Sequence, residues 1–360
     1  MGAGPALRPL GLVGEVGIVN ADTGRPILIV GAPRSGTTWV GKVLGSTAGV
    51  FYVHEPDNEG LDPRALKAKR SVGRFPVLSG SDVAPEYLAL WHEVFECSPP
   101  NAKSYRWRMA RKSLRAAKRR GEVEDAFRRA PREDSLRLKT AGLCAIHGAP
   151  RRPDERPVVK SVYASLAAEW ISDRFSPSVL VVLRDPLNVI SSPKTYLAEG
   201  SDLAAHPRVV TWIRDGVVPA PDPGLSPIGW ATWQLGVFQQ ALQRSARDRG
   251  WPTVRHEDLC LQGSEGFEAL AESLGLTWTD RAAAFLAQSN RSGTGYATKR
   301  VAEELPEIWR DRLSANQLYE IQGVLDTFPV IRGDGSANAG NSIAATKGRT
   351  GLRDPEEEQA

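Results

Sequence analysis

The sequence predicts an α/β domain, with a central parallel sheet flanked by helices and a helical insertion. Three observations point there. Short β-branched runs alternate with longer helical stretches, the pattern of a parallel sheet wrapped by helices. The first of these runs passes through a glycine loop directly into a helix. The longest apolar runs, such as 179–183, are strand-length and far short of the roughly 20 residues a membrane span needs.

Taken in order, 26–30 (PILIV) reads as a buried first strand, and 37–44 as the helix after its loop. Residues 50–53 (VFYV), 157–160 (PVVK), 179–183 (VLVVL) and 253–255 (TVR) supply four more strands. Helices are expected at 85–96, 104–129, 165–174, 186–197, 227–249 and 314–328. No internal repeat is visible. Residues 1–25 and 335–360 read as flexible tails, glycine-rich at one end and Gly-Asn-Ser-rich then acidic at the other. The domain itself is expected over 26–334, with a basic helical insertion at about 60–155.

Hydrophobic residues make up 41% and charged residues 24%, the balance of an ordinary water-soluble enzyme. The first 25 residues lack the charged-then-apolar order of a secretion signal, and Ala6 stands where a myristoylation motif wants Ser or Thr. A cytoplasmic enzyme is expected. Cys97, Cys144 and Cys260 lie far apart without metal-like spacing and read as reduced packing residues. The net charge of +4 is unevenly placed: residues 103–152 carry sixteen basic side chains against five acidic ones. Three readings of that stretch stand open: a solvated helix, a docking face for an anionic acceptor, or peripheral contact with an anionic surface through 103–132. Nucleic acid is not expected as a partner, because no recognised binding motif accompanies the charge.

The chemistry starts at GAPRSGTTW over 31–39. A turn between a strand and a helix aims backbone N–H groups and the positive end of a helix dipole at one spot, which suits a phosphate. Gly31 and Gly36 permit the tight backbone, and Arg34 and the threonine hydroxyls add donors. A nucleoside-triphosphate loop places lysine after its second glycine, but here that place is Thr37, which counts against a kinase or ATPase. A second candidate, LRDPLNVISS over 183–192, starts at a strand end and runs into a helix, with Pro186 in its first turn. Arg184 and Ser192 converge on one phosphate only if that helix folds back beside the loop.

Residues 33–39 (PRSGTTW) match at every position the 5′-phosphosulfate loop of the sulfotransferases that use 3′-phosphoadenosine 5′-phosphosulfate (PAPS), and the chain resembles that family, more nearly its carbohydrate-type and bacterial members. The resemblance covers about 25–335, with a poor match across 60–155. It implies a fold like the P-loop kinases and a sulfuryl transfer that releases 3′-phosphoadenosine 5′-phosphate (PAP), with no metal required. By this likeness Arg34 contacts the 5′-phosphate and the bridging oxygen, while Ser35, Gly36, Thr37 and Thr38 belong to the cradle and Trp39 stacks on adenine. Arg184 and Ser192, eight residues apart, carry over as ligands of the 3′-phosphate. VRHEDL over 254–259 is similar to a stretch found late in many members, with His256 where they have tyrosine. Lys299 and Arg300 fall in a segment resembling the loop that covers the nucleotide.

The general base departs from the family pattern. Cytosolic members use a histidine two residues after a strand-end lysine, and here Val162 holds that place after Lys160. FYVHEP over 51–56 resembles the Phe-Glu-Pro segment of carbohydrate sulfotransferases, which makes Glu55 the expected base, with its pKa raised to suit. His54 is the rival, and strand alternation puts the two on opposite faces. Lys160 is expected to stabilise charge on the transferring group or the leaving phosphate. The acceptor, a small molecule or carbohydrate, is expected near Asp202, His206 and Trp212, with Gly- and Pro-rich 216–227 as a flexible gate. Two rival functions stay open: a small-molecule kinase using ATP and magnesium, and a non-catalytic adaptor that kept the loops and lost the base.

Overall fold

Five apolar runs, each short and rich in β-branched residues, pair into one parallel sheet in the order β2-β3-β1-β4-β5. The computed structural model describes residues 24–59, 63–96, 154–192, 203–290 and 302–329. The strands are β1 (Ile27–Val30), β2 (Val50–His54), β3 (Arg156–Lys160), β4 (Ser178–Leu183) and β5 (Thr253–Arg255). β1 is central and closed to solvent along its whole length, as a strand covered on both faces must be. Alternation divides it: Leu28 and Val30 join Val159, Val181, Trp91 and Trp170 on one face. Ile27 and Ile29 join Val158, Leu180, Val40 and Phe267 on the other.

Helix α1 (Thr37–Leu44) follows β1. Between β2 and β3 stand α2 (Pro63–Ala68) and α3 (Pro85–Glu96). A 3₁₀ turn, Tyr163–Ala167, precedes α4 (Ala168–Phe175), so the helix expected at 165–174 starts differently: the Ser161 hydroxyl accepts the N–H groups of Tyr163 and Ala164 and tightens the first turn. After β4, α5 (Pro186–Ile190) ends before Ser191, and 193–197 of the expected helix lie outside the described residues. Then come α6 (Pro207–Arg214), α7 (Pro227–Arg249), α8 (His256–Ser273) and α9 (Asp280–Ser289). A 3₁₀ segment, Ala302–Asp311, leads to α10 (Ala315–Leu325), started by a capping box between Ser314 and Gln317.

α7 is the longest described helix, begun by the Ser226 cap with Pro227 behind it and ended by Gly250 in the left-handed region. A Cβ on Gly236 would stand 2.4 Å from the Phe328 ring, so the glycine lets α7 close onto the end of α10. The start of the 216–227 segment is anchored: Val218 is buried and the Trp233 indole donates to the Pro219 carbonyl at 3.0 Å. No helix among the described residues is long and apolar enough to cross a membrane. Cys260 is a buried free thiol, its pKa pushed up to about 12 by burial. The expected helix 104–129, Cys97, Cys144, Asp202, Lys299, Arg300, residues 1–23 of the first tail and the whole of the second lie outside the described residues.

The strand register brings Val30, Lys160, His54, Leu183 and Arg255 to one end of the sheet. β1 lies between β3 and β4, so the chain leaves it at the point where strand order reverses, the place where open α/β sheets form their ligand crevice.

Candidate active site

The loop after β1 is held in a shape few residues adopt. Arg34 (φ 72°) and Gly36 (φ 88°) are both left-handed, and the Ser35 N–H closes the turn on the Ala32 carbonyl at 3.0 Å. Gly31 is clasped by Ser165, whose hydroxyl accepts its N–H at 3.2 Å and donates to its carbonyl at 2.8 Å. At Gly36 a Cβ would lie 2.0 Å from His256 Cδ2, so only glycine fits where α8 begins beneath the loop. Gly36 caps α1 without a side-chain hydrogen bond, which leaves first-turn N–H groups for a ligand. The Ser35 hydroxyl is buried and without a hydrogen-bond partner. Thr37 is buried and Thr38 half-buried at the head of the helix.

Trp39 is built into the core. Its indole N–H donates to Ser289 Oγ at 2.9 Å, and its ring meets the edges of His256 and Phe267 at centroid distances of 5.4 and 4.8 Å. Trp39 thus joins the core cluster on this face of the sheet.

The second loop folds against the first. Asp185 caps α5 by accepting the Leu187 N–H at 2.7 Å, which turns the chain sharply after Arg184. Arg184 Nη1 donates to the Arg34 carbonyl at 3.0 Å, and Arg34 Nε donates to Ser192 Oγ at 2.8 Å. Arg34, Arg184 and Ser192 thus form one constellation. Glu257, at the start of α8, holds it from below: Oε1 accepts the Asp185 N–H and the Asn188 side-chain amide, each at 3.1 Å, and lies 3.8 Å from Arg184 Nε. Arg184 Nε is buried and without a hydrogen-bond partner. Burial pushes the Glu257 carboxyl above its ordinary value, although the Arg184 charge opposes it. The VRHEDL motif gave Glu257 no task; the signal was a carboxylate two residues past a strand end.

At the other side of β1, the ends of β2 and β3 meet. Lys160 Nζ donates to Glu55 Oε1 at 2.5 Å, and the Asn58 amide donates to Oε2 at 2.8 Å. The Lys160 side chain is 2% exposed and that of Glu55 13%. Burial raises the Glu55 pKa, but the Lys160 ammonium beside it outweighs that effect and holds the carboxyl below its usual range. The expected rise is therefore absent, and Glu55 stands ionised. Burial lowers the Lys160 pKa, against the pull of Glu55.

His54 is not on the opposite face. Glu55 adopts φ 44°, beyond the last residue of β2, while its N–H still bonds the Lys160 carbonyl at 2.7 Å. The turn brings His54 Nε2 to 3.9 Å from Glu55 Oε2, and Tyr52 OH bonds His54 Nδ1 at 3.1 Å. Strand alternation ends where the backbone turns left-handed. Burial, with Lys160 nearby, lowers the His54 pKa to about 4, so the ring is neutral at pH 7. Val162 is buried and starts the 3₁₀ turn.

The profile of the sulfotransferase family matches residues 26–280, a span that holds both loops, Glu55 and Lys160. The chain belongs to the sulfotransferase family. Among solved structures, the sulfotransferase domain from the curacin biosynthetic pathway is 15% identical, with a TM-score of 0.43 over 84% of this chain and 96% of its own. The sulfotransferase domain from the Synechococcus PCC 7002 olefin synthase is also 15% identical, at a TM-score of 0.40 over 85% and 96%. Mouse sulfotransferase SULT7A1 complexed with PAP is 11% identical, at a TM-score of 0.38 over 89% and 88%. No curated protein matches the sequence.

The segment 71–83 and α6 of this sulfotransferase frame a cavity of about 400 Å³. His206 caps α6, its Nδ1 accepting the Arg208 N–H at 3.3 Å, and with Asp82 and Arg208 it lines the cavity. Trp212 packs against the core cluster around Val209 and Trp233. Nearer Glu55, the Tyr163 ring carries Lys69 Nζ at 3.8 Å over its face and stacks on Phe75 at 5.3 Å.

Proposed function

We propose that this sulfotransferase moves a sulfuryl group from PAPS to an acceptor hydroxyl or amine by in-line displacement, with Glu55 as general base. The observation that carries the reading is the junction of the two loops, where Arg34 Nε donates to Ser192 Oγ at 2.8 Å and Arg184 Nη1 to the Arg34 carbonyl at 3.0 Å. Two cationic side chains that close together suit a nucleotide carrying phosphates at both its 3′ and 5′ positions.

The residues present fit that donor. The buried Ser35 hydroxyl and Arg184 Nε lack hydrogen-bond partners, and α1 begins without a side-chain cap. Arg34, Ser35, Gly36, Thr37 and Thr38 would hold the 5′-phosphate end, and Arg184 and Ser192 the 3′-phosphate. When bound, PAPS supplies an activated sulfuryl group on a phosphate leaving group. Glu55 takes the acceptor proton on Oε as the acceptor oxygen or nitrogen bonds to sulfur and the bond from sulfur to the bridging oxygen breaks. Lys160, already on Glu55, turns from it to the charge that develops on the departing phosphate, with Arg34 on the same oxygen. The Glu55 carboxylate becomes the stronger base as the ammonium leaves it.

The acceptor is read as a small molecule or carbohydrate, the sugar hydroxyl resting on the likeness of 51–56 to carbohydrate-type members. The test is transfer of ³⁵S from labelled PAPS to a panel of sugars, phenols and amines. Transfer that disappears in Glu55→Gln while PAP binding stays intact is the expected outcome. Transfer at an unchanged rate in that variant would remove Glu55 from the mechanism.

A further inference from the structure

Behind the Glu55–Lys160 pair lies a second carboxylate that the reaction as described does not use. Asp57 is fully buried, with none of its surface reaching solvent. Its Oδ1 accepts the Ser161 hydroxyl at 2.5 Å and its Oδ2 accepts the Tyr87 hydroxyl at 2.9 Å. Ser161 is the residue after Lys160, and Asp57 is two residues after Glu55. The carboxylate thus ties the turn that presents the base to the strand end that presents the lysine. Tyr87 packs among Trp91 and Trp170, at ring distances of 6.0 and 5.7 Å, so the carboxyl stands at the edge of an aromatic core.

A buried charge costs several kcal/mol unless something compensates it. Two hydroxyl donors would be satisfied as well by a neutral acceptor, so pinning the turn does not by itself call for a carboxylate. The charge has a use beside Lys160. In the resting site that lysine is paired with Glu55. Once Glu55 takes up a proton the pair is broken, and a lysine so deeply buried would tend to lose its own proton at the moment its charge is needed. Asp57 is held through Ser161 to the residue after Lys160, and its charge would favour the ammonium as that of Glu55 does; Glu55, Lys42 and His54 are the other charged and titratable groups there. Lys69, Glu55, Tyr87 and Ser161 act on Asp57 in turn, and burial pushes its carboxyl upward against the pull of Lys69 and both hydroxyls.

We infer that Asp57 is a positioning residue of the transfer site, whose ionised carboxylate keeps Lys160 protonated after Glu55 has accepted the acceptor's proton. The inference rests on the reading of Glu55 as base, but its test does not depend on turnover. The full-length protein is labelled with [ε-¹³C]lysine, and the Lys160 signal is assigned by its loss in Lys160→Met. Glu55→Gln mimics the protonated base. In that variant Lys160 should remain charged at pH 7, and adding Asp57→Asn should lower its titration midpoint by about 1 pH unit or more. Equal midpoints in the two proteins would overturn the inference. Where Asp57→Asn fails to fold, the Asp57 carboxyl carbon in the wild type decides: an ionised group at pH 7 is required, and a protonated one ends the proposal. In the activity arm, Asp57→Asn should lower kcat about tenfold or more, leave PAP affinity alone, and move the alkaline limb of kcat to lower pH. A loss of kcat and thermal stability with the limb unmoved would mean a structural role only. Absence of PAPS-dependent transfer in the wild type would sink the proposed reaction, whereas the lysine titration would still judge Asp57.

Discussion

The two sides of the β1 strand end are built on different plans. On the β4 side, Arg34, Arg184, Ser192 and Glu257 come from separate loops that brace one another through hydrogen bonds, and unsatisfied donors remain at Ser35 and Arg184. On the β3 side, Glu55 and Lys160 satisfy each other at 2.5 Å, with Asn58 on the second carboxylate oxygen. The first arrangement keeps hydrogen-bond donors unspent, while in the second the charged pair is already matched. A site that binds a polyanion must hold spare positive charge, whereas a site that moves a proton must hold a base ionised until the acceptor arrives.

The contrast breaks most sharply at the base. Glu55→Gln should cut transfer by about 10²- to 10⁴-fold and leave PAP affinity within about twofold, measured by turnover and calorimetry. A comparable loss of PAP affinity would mean that Glu55 belongs to the donor side. Next in size is Lys160→Met, which strands a buried carboxylate. Unfolding in denaturant should show a loss of roughly 3–5 kcal/mol, largely recovered by adding Glu55→Gln. Failure of the second change to rescue would show that the pair does not balance as a unit.

Acid tests the base side more finely. Because Lys160 holds the Glu55 pKa below its usual range, the carboxylate is ionised at neutral pH and is lost only as pH falls through the lowered value. The acid limb of kcat/KM for the free enzyme should therefore lie below the ordinary glutamate pKa of about 4.3. A limb near pH 6 would instead point to a base raised by burial. The smallest expected effect is on the donor side: Ser192→Ala removes one hydroxyl contact to a charged phosphate, at the low end of about 1.5–3 kcal/mol, and should weaken PAP by roughly tenfold.

The same division governs what the sequence discloses. All five strands were legible: β1, β3 and β4 because a strand buried on both faces writes itself as a near-continuous apolar run, and the half-buried edges β2 and β5 because their short runs are rich in β-branched and aromatic residues. The two candidate phosphate loops could be located too, since each is a contiguous stretch at the end of a strand. What the sequence concealed depends on contacts between distant residues. α8 was hidden because Gly263, with φ 58°, breaks its periodicity midway. α6 was hidden behind a Pro- and Gly-rich neighbourhood that reads as loop. Glu55 could be named, but its environment could not: the lysine that lowers its pKa is 105 residues away, and the left-handed turn that sets His54 beside it carries no glycine to announce it. The partner of the Trp39 indole was equally hidden, since Ser289 stands 250 residues on.

The central claim is that the β4-side constellation reads a 3′-phosphate. The direct measurement is the affinity for PAP relative to adenosine 5′-monophosphate, without metal, in the wild type and in Arg184→Ala. A charge-assisted contact is worth about 1.5–3 kcal/mol, so the wild type should prefer PAP and the variant should lose about 10- to 150-fold of that preference. Equal affinity for the two nucleotides in the wild type, or a preference that survives the substitution, would contradict it.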